Sequence, residues 1–342
     1  MQPAFAAHET ALLFPTGGAH WPGMGDDLAE PGAHAELCER AEAALVSAGA
    51  TPGALGRLMG GEQQAKRSED ESGWHWSGDF PLSVAAQTVL GSCLGHHFRR
   101  ARGEPGAVLG ESMGECAAYC VAGALAIEDA VLLAYRWAGA LQQASDALGL
   151  RMVVVESLER EPLLGLAAPL GARIVVHESR TLFVLSVPVA SLAALRATLS
   201  ERGVNMLVST NPCVAHDPRL RQAEGVWQAH EAFLRGLALR PAEVGLWSAL
   251  APGQRLATVA ELRTNLERTT STPVRWAEAV GQLPGLGIRS LLQLGVPARA
   301  YALEKLRAEE PALTSLHLRA VRSLRTLSSA RSSLPPPAAT SP

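Results

Sequence analysis

The eight residues Val108-Leu109-Gly110-Glu111-Ser112-Met113-Gly114-Glu115 decide how the fold of this chain is interpreted. An apolar run ends there in Gly-x-Ser-x-Gly, and a helix-like segment, residues 115–124, follows at once. Glycines on both sides of a serine permit a sharp strand-to-helix turn, because glycine accepts strained backbone angles without a Cβ clash. Such a turn exposes the serine Oγ and aims backbone N–H groups at the group that the oxygen attacks. The stretch therefore predicts a nucleophilic serine at position 112, with a purely structural turn as the alternative.

Short apolar runs and helical patterns alternate on both sides of this turn. The strands expected in this part of the chain are residues 11–14, 107–109 and 244–248, and a further apolar run lies at residues 291–295. The helices expected are residues 82–99, 127–144, 218–236 and 273–281. Strands that alternate with helices are typical of an α/β fold with a parallel core sheet.

Residues 150–210 follow a different order of elements. The pattern is strand, helix, hairpin, helix and strand, at residues 152–155, 159–170, 174–176 with 182–185, 190–201 and 205–208. This βαββαβ order is that of a ferredoxin-like domain. We expect it to be inserted in a large domain made of residues 10–149 and 211–326. Residues 327–342 are rich in proline, serine and alanine and are expected to form a disordered tail.

Bulk properties exclude several classes of function. The chain has 342 residues and a formal net charge of −3, so no nucleic-acid partner is indicated. Its five cysteines have no metal-type spacing and are expected to be reduced and buried. No signal peptide or membrane span is recognisable. We therefore expect a cytoplasmic protein without a cofactor or a bound metal.

A nucleophilic serine needs a base within hydrogen-bond reach and donors for the oxyanion. Among the ten histidines, His216 stands out, in Cys213-Val214-Ala215-His216-Asp217-Pro218. It lies where the chain leaves the small domain and enters a helix that Asp217 is expected to cap. This position predicts His216 as the general base; a surface histidine beside a helix cap is the alternative.

Several blocks, in order along the chain, resemble the malonyl-CoA:acyl carrier protein transacylases and the polyketide synthase acyltransferase domains. Residues 14–25, Phe-Pro-Thr-Gly-Gly-Ala-His-Trp-Pro-Gly-Met-Gly, resemble the family's opening F-P-G-Q-G-S-Q-x-x-G-M-G, and residues 110–115 resemble its G-H-S-x-G-E. Residues 213–216 fall where that family has a block ending in its catalytic histidine. Pro273-Val274-Arg275-Trp276 and residues 293–297 resemble later blocks, so the similarity covers roughly residues 11–310.

The resemblance implies a large α/β-hydrolase-like domain in which Ser112 is acylated and His216 is its base. It also implies an oxyanion hole formed by the backbone N–H groups of Gly17 and Met113. The family transfers an acyl group from a thioester donor, such as an acyl-CoA or acyl-carrier protein, to the enzyme serine. The serine then passes it to the phosphopantetheine thiol of an acyl carrier protein. These would be the donor and partner of this chain, as a monomer or as a domain of a larger synthase.

One departure from the family concerns substrate choice. Members that transfer carboxyacyl groups have an arginine 25 residues after the serine, where this chain has Trp137. Arg136 is adjacent, but one residue turns a helix by about 100°, so it should not substitute. A tryptophan cannot pair with a carboxylate and adds apolar surface to the pocket. We expect a non-carboxylated acyl group; a tryptophan that merely packs in the core is the alternative.

Other predicted pocket residues also differ from the family. Glu111 replaces a histidine beside the nucleophile, where it would bond nearby loops or disfavour an anionic substrate. Cys213, Val214 and Ala215 match neither of the family's two versions of this block, which are linked to malonyl and methylmalonyl preference.

The predicted function is therefore transfer of a non-carboxylated acyl group to an acyl carrier protein, as in starter-unit selection for polyketide or fatty-acid-like biosynthesis. An acyl hydrolase of the same fold that edits carrier proteins, and a malonyl transferase despite the missing arginine, stay open as alternatives. An ordinary esterase is disfavoured because its histidine follows near the C-terminus. A non-catalytic scaffold is disfavoured by the intact Ser112 and His216. Arg219 and Arg221 are a candidate carrier contact, although an ordinary solvated helix face is preferred.

Overall fold

The structure, a computed structural model, describes residues 5–15, 24–25, 28, 33–59, 66–67, 74–75, 79–209, 211–295, 300–321, 323–324 and 327. The α-helices of these residues are α1 (Ala33–Ser47), α2 (Ala54–Met59), α3 (Phe80–Arg102), α4 (Glu115–Val121), α5 (Ile127–Ala147), α6 (Arg160–Ala167), α7 (Leu192–Ser200), α8 (Glu224–Gly236), α9 (Val259–Thr269), α10 (Trp276–Gly281) and α11 (Ala300–Glu309). The strands are β1 (Thr10–Phe14), β2 (Lys66–Arg67), β3 (Trp74–His75), β4 (Ala107–Gly110), β5 (Leu150–Glu156), β6 (Arg173–Ser179), β7 (Leu182–Pro188), β8 (Met206–Val208), β9 (Leu246–Trp247), β10 (Ser290–Leu294) and β11 (His317–Val321).

Five strands form a parallel sheet in the order β11-β10-β1-β4-β9. Its central strands, β1 and β4, are buried along their whole length. Strands covered on both faces read as continuous apolar runs, because every side chain must enter a core. The predicted α/β class with a parallel core sheet is confirmed.

The register of the two central strands places the site. Phe14, the last residue of β1, lies opposite Gly110, the last residue of β4. The Glu111 N–H donates to the Phe14 carbonyl at 2.8 Å, so the chain segments that follow the two strands start side by side. In open parallel sheets, ligands bind at this carboxyl edge of the strands.

The second sheet is antiparallel, in the order β6-β7-β5-β8. With α6 and α7 it has the βαββαβ order expected of a ferredoxin-like unit. Alternate residues of β5 point to opposite faces, as the period of two in a strand requires. Val153 packs with residues of α6 and α7, such as Leu163 and Leu195, while Val154 packs against the core of the large sheet. The predicted domain limits themselves stay a prediction.

Several elements differ from the sequence prediction. The expected helix 218–236 is a 3-10 turn, Pro218–Gln222, followed by α8, because Ala223 (φ −81°, ψ 63°) leaves the helical region. Helix α10 starts at Trp276 because Val274 forms a β-bridge with Val176, which keeps the preceding residues extended. Helix α9 and strand β11 were not predicted. Apart from Leu327, the expected tail lies outside the described residues.

Candidate active site

The turn at Ser112 follows β4 directly. A 3-10 turn, Ser112–Gly114, joins the strand to α4. A Cβ atom on Gly110 would lie 2.5 Å from the Cα of Glu115, and one on Gly114 would lie 2.1 Å from the Phe14 carbonyl oxygen. The two glycines are therefore required by close backbone approach. The left-handed conformation falls on Ser112 itself, with φ of 55°, so the expectation that glycines take the strained angles is wrong.

The structure brings Ser112 and His216 together. Ser112 Oγ lies 2.6 Å from His216 Nε2, and His216 Nδ1 lies 2.6 Å from the carbonyl oxygen of Thr269. A carbonyl oxygen only accepts, so Nδ1 carries the proton and Nε2 accepts from the serine hydroxyl. His216 also has a left-handed backbone, with φ of 63°. Backbone strain of about 1–3 kcal/mol persists only where the surroundings enforce it, and it concentrates at functional sites.

The protonation state of His216 suits a base. Burial lowers its pKa to about 4, while hydrogen bonds to the carbonyls of Thr269 and Thr272 act in the opposite direction. The imidazole is therefore neutral at pH 7, with its Nε2 lone pair directed at the serine hydroxyl. This arrangement can remove the hydroxyl proton during nucleophilic attack.

The segment before His216 is fixed to α5. Ser145 Oγ accepts from the Val214 N–H at 2.7 Å and donates to the Leu141 carbonyl at 2.7 Å. The predicted pocket residues Cys213, Val214 and Ala215 are all buried. They pack in the same apolar cluster as α5, which holds the histidine against that helix.

Trp137 of α5 lies next to the histidine. Its ring meets the His216 ring edge to face, with the centroids 6.3 Å apart and the planes at 88°. The side chain is only 2% exposed, and its Nε1 has no partner among the described residues. Arg136 points elsewhere, because its guanidinium lies over the ring of Phe233 at 4.8 Å. Trp137 is thus both a core residue and a neighbour of the candidate base.

Asp217 anchors the turn that follows the histidine. Its carboxylate is fully buried, accepts from the Arg219 backbone N–H and forms an ion pair with the Arg219 guanidinium. Burial acts to raise the pKa of Asp217, but hydrogen bonds from Arg219 and Ser186 together hold it below its ordinary value. Arg219 also donates to the carbonyls of Gly171 and Ser186, which ties the histidine segment to the antiparallel sheet. The cap predicted for Asp217 is present.

This ion pair changes the interpretation of the two arginines. The Arg219 side chain is committed to internal acceptors and is 19% exposed, which favours a structural role, and its part in carrier binding stays a prediction. Arg221 is exposed and lies against Ser271 Oγ and the Glu267 carbonyl.

Arg219→Met is expected to destabilise the protein by about 3 kcal/mol, because it leaves the buried Asp217 carboxylate without its partner. Arg221→Met removes a similar side chain from an exposed position and is expected to change stability by less than about 0.5 kcal/mol. Urea unfolding followed by tryptophan fluorescence compares the two variants. Equal stability of both would contradict the structural role of Arg219.

The predicted oxyanion donors are only partly within the described residues. Met113 is buried directly after the nucleophile, in the 3-10 turn. Gly17 lies outside the described residues, so its role stays a prediction. Glu111 is 3% exposed, and its backbone N–H is bonded to Phe14. Its effect on substrate choice also stays a prediction.

Sequence reasoning missed the polar residues behind His216. Thr269 supplies the carbonyl acceptor, and the buried Glu115 carboxyl contacts Thr269 Oγ1 and Asn265 Nδ2. Asn265 and Thr269 are four residues apart in α9 and therefore share one helix face. A polar pair at this spacing beside the apolar Leu262 and Leu266 was the available signal.

Two negative findings concern the described ranges only. Within them, no three His, Cys, Asp or Glu side chains come together in a way that could hold a metal ion. None of their helices has both the length and the apolar character needed to cross a bilayer.

The fold and the hydrogen-bonded Ser112–His216 pair suit an enzyme that transfers acyl groups, and the role of the pair stays a prediction. Residues 82–290 match the family model described as "Acyl transferase domain", which is more than half of the chain. The chain belongs to that family and is an acyltransferase.

The curated relatives are much longer proteins, and this chain matches one part of each. The chain is 29% identical over 221 residues to 6-methylsalicylic acid synthase of Aspergillus terreus, covering 64% of this chain and 12% of that protein. It is 27% identical over 316 residues to erythronolide synthase EryA3 of Saccharopolyspora erythraea, covering 91% of this chain and 9% of that protein. The chain thus spans about a tenth of the length of these relatives.

A solved structure matches nearly the whole chain. Malonyl-CoA:acyl carrier protein transacylase (FabD) of Xanthomonas oryzae pv. oryzae superposes with a TM-score of 0.79 at 21% identity, covering 96% of this chain and 99% of that one. This likeness shows the fold, a parallel sheet with a small ferredoxin-like unit.

Proposed function

We propose that this acyltransferase moves a non-carboxylated acyl group from a thioester donor, through an acyl-Ser112 intermediate, to the phosphopantetheine thiol of an acyl carrier protein. The observation that carries the proposal is the buried Ser112–His216 hydrogen bond with Trp137 against the histidine ring. The similar transacylase from Xanthomonas oryzae is named for its acyl carrier protein, which supports the choice of acceptor.

The first half-reaction acylates the serine. His216 Nε2 takes the hydroxyl proton as Ser112 Oγ attacks the thioester carbonyl carbon. The backbone N–H of Met113, with that of Gly17, would stabilise the negative charge on the carbonyl oxygen. When the C–S bond breaks, the sulfur leaves with the proton held by His216. The products are acyl-Ser112 and a free thiol.

The second half-reaction repeats these steps with a new thiol. His216 takes the proton of the phosphopantetheine thiol, the sulfur attacks the acyl-serine carbonyl, and Ser112 Oγ recovers the proton. A base with pKa lowered to about 4 is weak, but thiols ionise near pH 8.5 and leave far more easily than alcohols or amines. The Thr269 carbonyl that holds His216 carries no charge and leaves the histidine a weak base. A weak base is sufficient here because the groups exchanged are thiols.

The surroundings of the site favour an uncharged acyl group. Trp137 fills space beside His216 with apolar surface, and Arg136 is held over Phe233. Among the described residues, neither of these two side chains offers a cation to a malonyl carboxylate beside His216, where the carboxylate would lose its hydration against the apolar ring.

Intact-mass spectrometry after incubation with a panel of acyl-CoA thioesters tests this function. We expect acetyl, branched short-chain or aromatic acyl groups to give the acyl-enzyme in preference to malonyl or methylmalonyl groups. Adding holo-acyl carrier protein should move the group to the carrier, whereas the apo form, which lacks the thiol, should leave the acyl-enzyme intact. Malonyl as the preferred donor would contradict the specificity, and release of free acid faster than transfer would contradict the transferase assignment.

Trp137→Arg is expected to increase malonyl loading by roughly 10- to 100-fold, because an ion-paired hydrogen bond in a buried site contributes about 1.5–3 kcal/mol. Trp137→Phe keeps an apolar ring without a cation and serves as the matched control, with no increase expected. The rate of malonyl-enzyme formation is the measurement, with folding of both variants verified by circular dichroism. Equal malonyl loading by the two variants would show that position 137 does not select the acyl group.

A further inference from the structure

A buried polar cluster lies directly behind the Ser112–His216 pair. Its members come from α4, from α9 and from the segment after β9, and all are nearly inaccessible to solvent: Glu115, Tyr119, Ser248, Asn265 and Thr269. The cluster meets the candidate site at Thr269, whose backbone carbonyl accepts the hydrogen bond from His216 Nδ1. Because buried polar groups need partners, the hydrogen bonds within this cluster can be assigned one by one.

The amide of Asn265 fixes the direction of most of these bonds. Its Oδ1 accepts from Ser248 Oγ at 2.6 Å, and its Nδ2 donates to Glu115 Oε1 at 3.2 Å and to Tyr119 Oη at 3.1 Å. The Ser248 hydroxyl can donate outward because its Oγ already accepts from the Leu250 N–H. The tyrosine hydroxyl in turn donates to a backbone carbonyl of α9 at 3.1 Å. Each donated proton in this part of the cluster thus has one acceptor, with the two protons of Asn265 Nδ2 going to Glu115 and Tyr119.

At one place a single hydroxyl proton faces two oxygens, and a proton on Glu115 would allow both contacts to be hydrogen bonds. Thr269 Oγ1 lies 2.8 Å from the Asn265 carbonyl oxygen and 2.9 Å from Glu115 Oε2. The hydroxyl has a single proton, and a carbonyl oxygen only accepts. If Thr269 donates to that carbonyl, the short contact to Glu115 requires a proton on the carboxyl. An ionised carboxylate would compete with the carbonyl for the one hydroxyl proton.

We propose that Glu115 is kept as a neutral carboxylic acid that donates to Thr269 and thereby positions the carbonyl that holds His216. The chain of donation runs from Glu115 through the Thr269 hydroxyl to the Asn265 carbonyl in the last turn of α9. That same turn presents the Thr269 carbonyl to His216 Nδ1. Glu115 is a positioning residue, since it touches none of the reacting atoms. The inference rests on the proposed function insofar as His216 is the base.

The surroundings of Glu115 agree with a neutral carboxyl. Burial raises its pKa to about 7, and the hydrogen bonds that Thr269 and Asn265 can donate to the ionised form offset this only in part. The side chains that face it are uncharged at neutral pH: Cys116 and Tyr119 from its own helix, Asn265 and Thr269 from α9, and His216 beyond Thr269. Among the described residues, no cation stabilises the carboxylate.

A pH dependence follows from this arrangement. Above about pH 7 the carboxyl ionises, and the Thr269 hydroxyl must turn to donate to it. The Asn265 carbonyl then keeps its helical backbone donor but loses the bond from the Thr269 hydroxyl, and the turn that holds His216 is less firmly fixed. We therefore expect Ser112 to react more slowly above about pH 7 than it would if Glu115 stayed protonated.

The test compares Glu115→Gln with wild type and with Glu115→Ala. Glutamine reproduces the neutral acid, because its amide can donate to Thr269 and its oxygen can accept from Asn265, but it cannot ionise. We expect the rate of Ser112 modification by a phosphonofluoridate reagent to fall in Glu115→Ala and to be restored in Glu115→Gln. The ratio of Glu115→Gln to wild type should rise roughly 3- to 10-fold between pH 6 and pH 9, the equivalent of one net hydrogen bond.

A matched control uses the same substitution on the surface. Glu161→Gln changes an exposed glutamate in α6, and its ratio to wild type should not change with pH. If Glu115→Gln and wild type have parallel pH profiles, or if Glu115→Gln is as slow as Glu115→Ala, the inference is wrong.

Two further measurements do not depend on activity. The infrared carbonyl band of a protonated carboxylic acid should be present in wild type at pH 6 and absent in Glu115→Gln. A group whose pKa is raised by folding contributes stability that is complete below its unfolded pKa and is lost as pH rises through its folded pKa. The melting temperature of wild type relative to Glu115→Gln should therefore fall between pH 4.5 and about pH 7. Loss of the proposed acyl transfer would leave these results unaffected, whereas a missing band or a constant difference would overturn the protonated Glu115.

Discussion

Ser112→Ala is expected to abolish the acyl-enzyme and to reduce acyl transfer at least about 10⁴-fold, the loss typical when a covalent nucleophile is removed. The physical reason is that, in the part of the chain that the structure describes, the Ser112 hydroxyl is the group hydrogen-bonded to His216 Nε2. Without it, the base has no proton to remove from the enzyme, and the first half-reaction cannot occur. Intact-mass spectrometry after exposure to acyl thioesters measures the adduct directly.

Ser200→Ala is the matched control for this experiment. Ser200 is an exposed serine at the end of α7, in the antiparallel part of the fold, and its loss should leave the adduct unchanged. Because Ser112 has a left-handed backbone, alanine there keeps about the same strain and the variant should fold. An acyl adduct that survives in Ser112→Ala would show that Ser112 is not the acylated residue and that another side chain is the nucleophile.

The Ser112 turn could be predicted from sequence because its requirements are local. Close approach of the backbone at Gly110 and Gly114 leaves no room for a side chain. Both positions must therefore be glycine, which gives the recognisable pattern Gly-x-Ser-x-Gly. The buried strand before it and the helix after it each have a composition of their own. The βαββαβ unit was predicted for the same reason, since its elements follow one another along the chain.

Contacts between distant segments were harder to predict. The acceptor for His216 Nδ1 is a backbone carbonyl 53 residues further along the chain, and any residue type supplies such a carbonyl. The left-handed backbone conformations of Ser112 and His216 likewise depend on the surrounding structure. Neither residue type indicates such a conformation in the sequence. Strand β11 was missed because it is half-buried along most of its length and pairs on one side only, so its apolar pattern is weak.

Helix α9, in contrast, was within reach of sequence reasoning. Thr258 and Glu261 form a capping box, in which the threonine accepts from the Glu261 N–H and the glutamate accepts from the Thr258 N–H. A Thr-x-x-Glu pattern before apolar residues at helical spacing is a recognised start signal. Finding this helix would have placed Asn265 and Thr269 on its buried face, although their contact with Glu115 would have needed the structure.

His216→Asn is expected to reduce acyl-enzyme formation about 10⁴-fold, because asparagine can occupy the site but cannot accept and return a proton. His230 provides the matched control. It is also a buried histidine whose pKa is lowered to about 4, and its Nδ1 has no partner among the described residues. His230→Asn should therefore keep acylation near the wild-type rate, while single-turnover kinetics separate the two variants. Comparable losses in both would indicate general destabilisation rather than removal of a base.

The pH dependence of acylation distinguishes this histidine from one paired with a carboxylate. Because burial lowers the pKa of His216 to about 4, its neutral form should persist well below pH 6.5, and acylation should fall only as pH approaches 4. The sign for stability is the same: the folded state resists protonation, so stability is present above the unfolded pKa and is lost as pH falls toward 4. A rate that already declines through pH 6.5 would mean that a negative charge supports the imidazolium. The Thr269 carbonyl would then not be the group that sets the strength of the base.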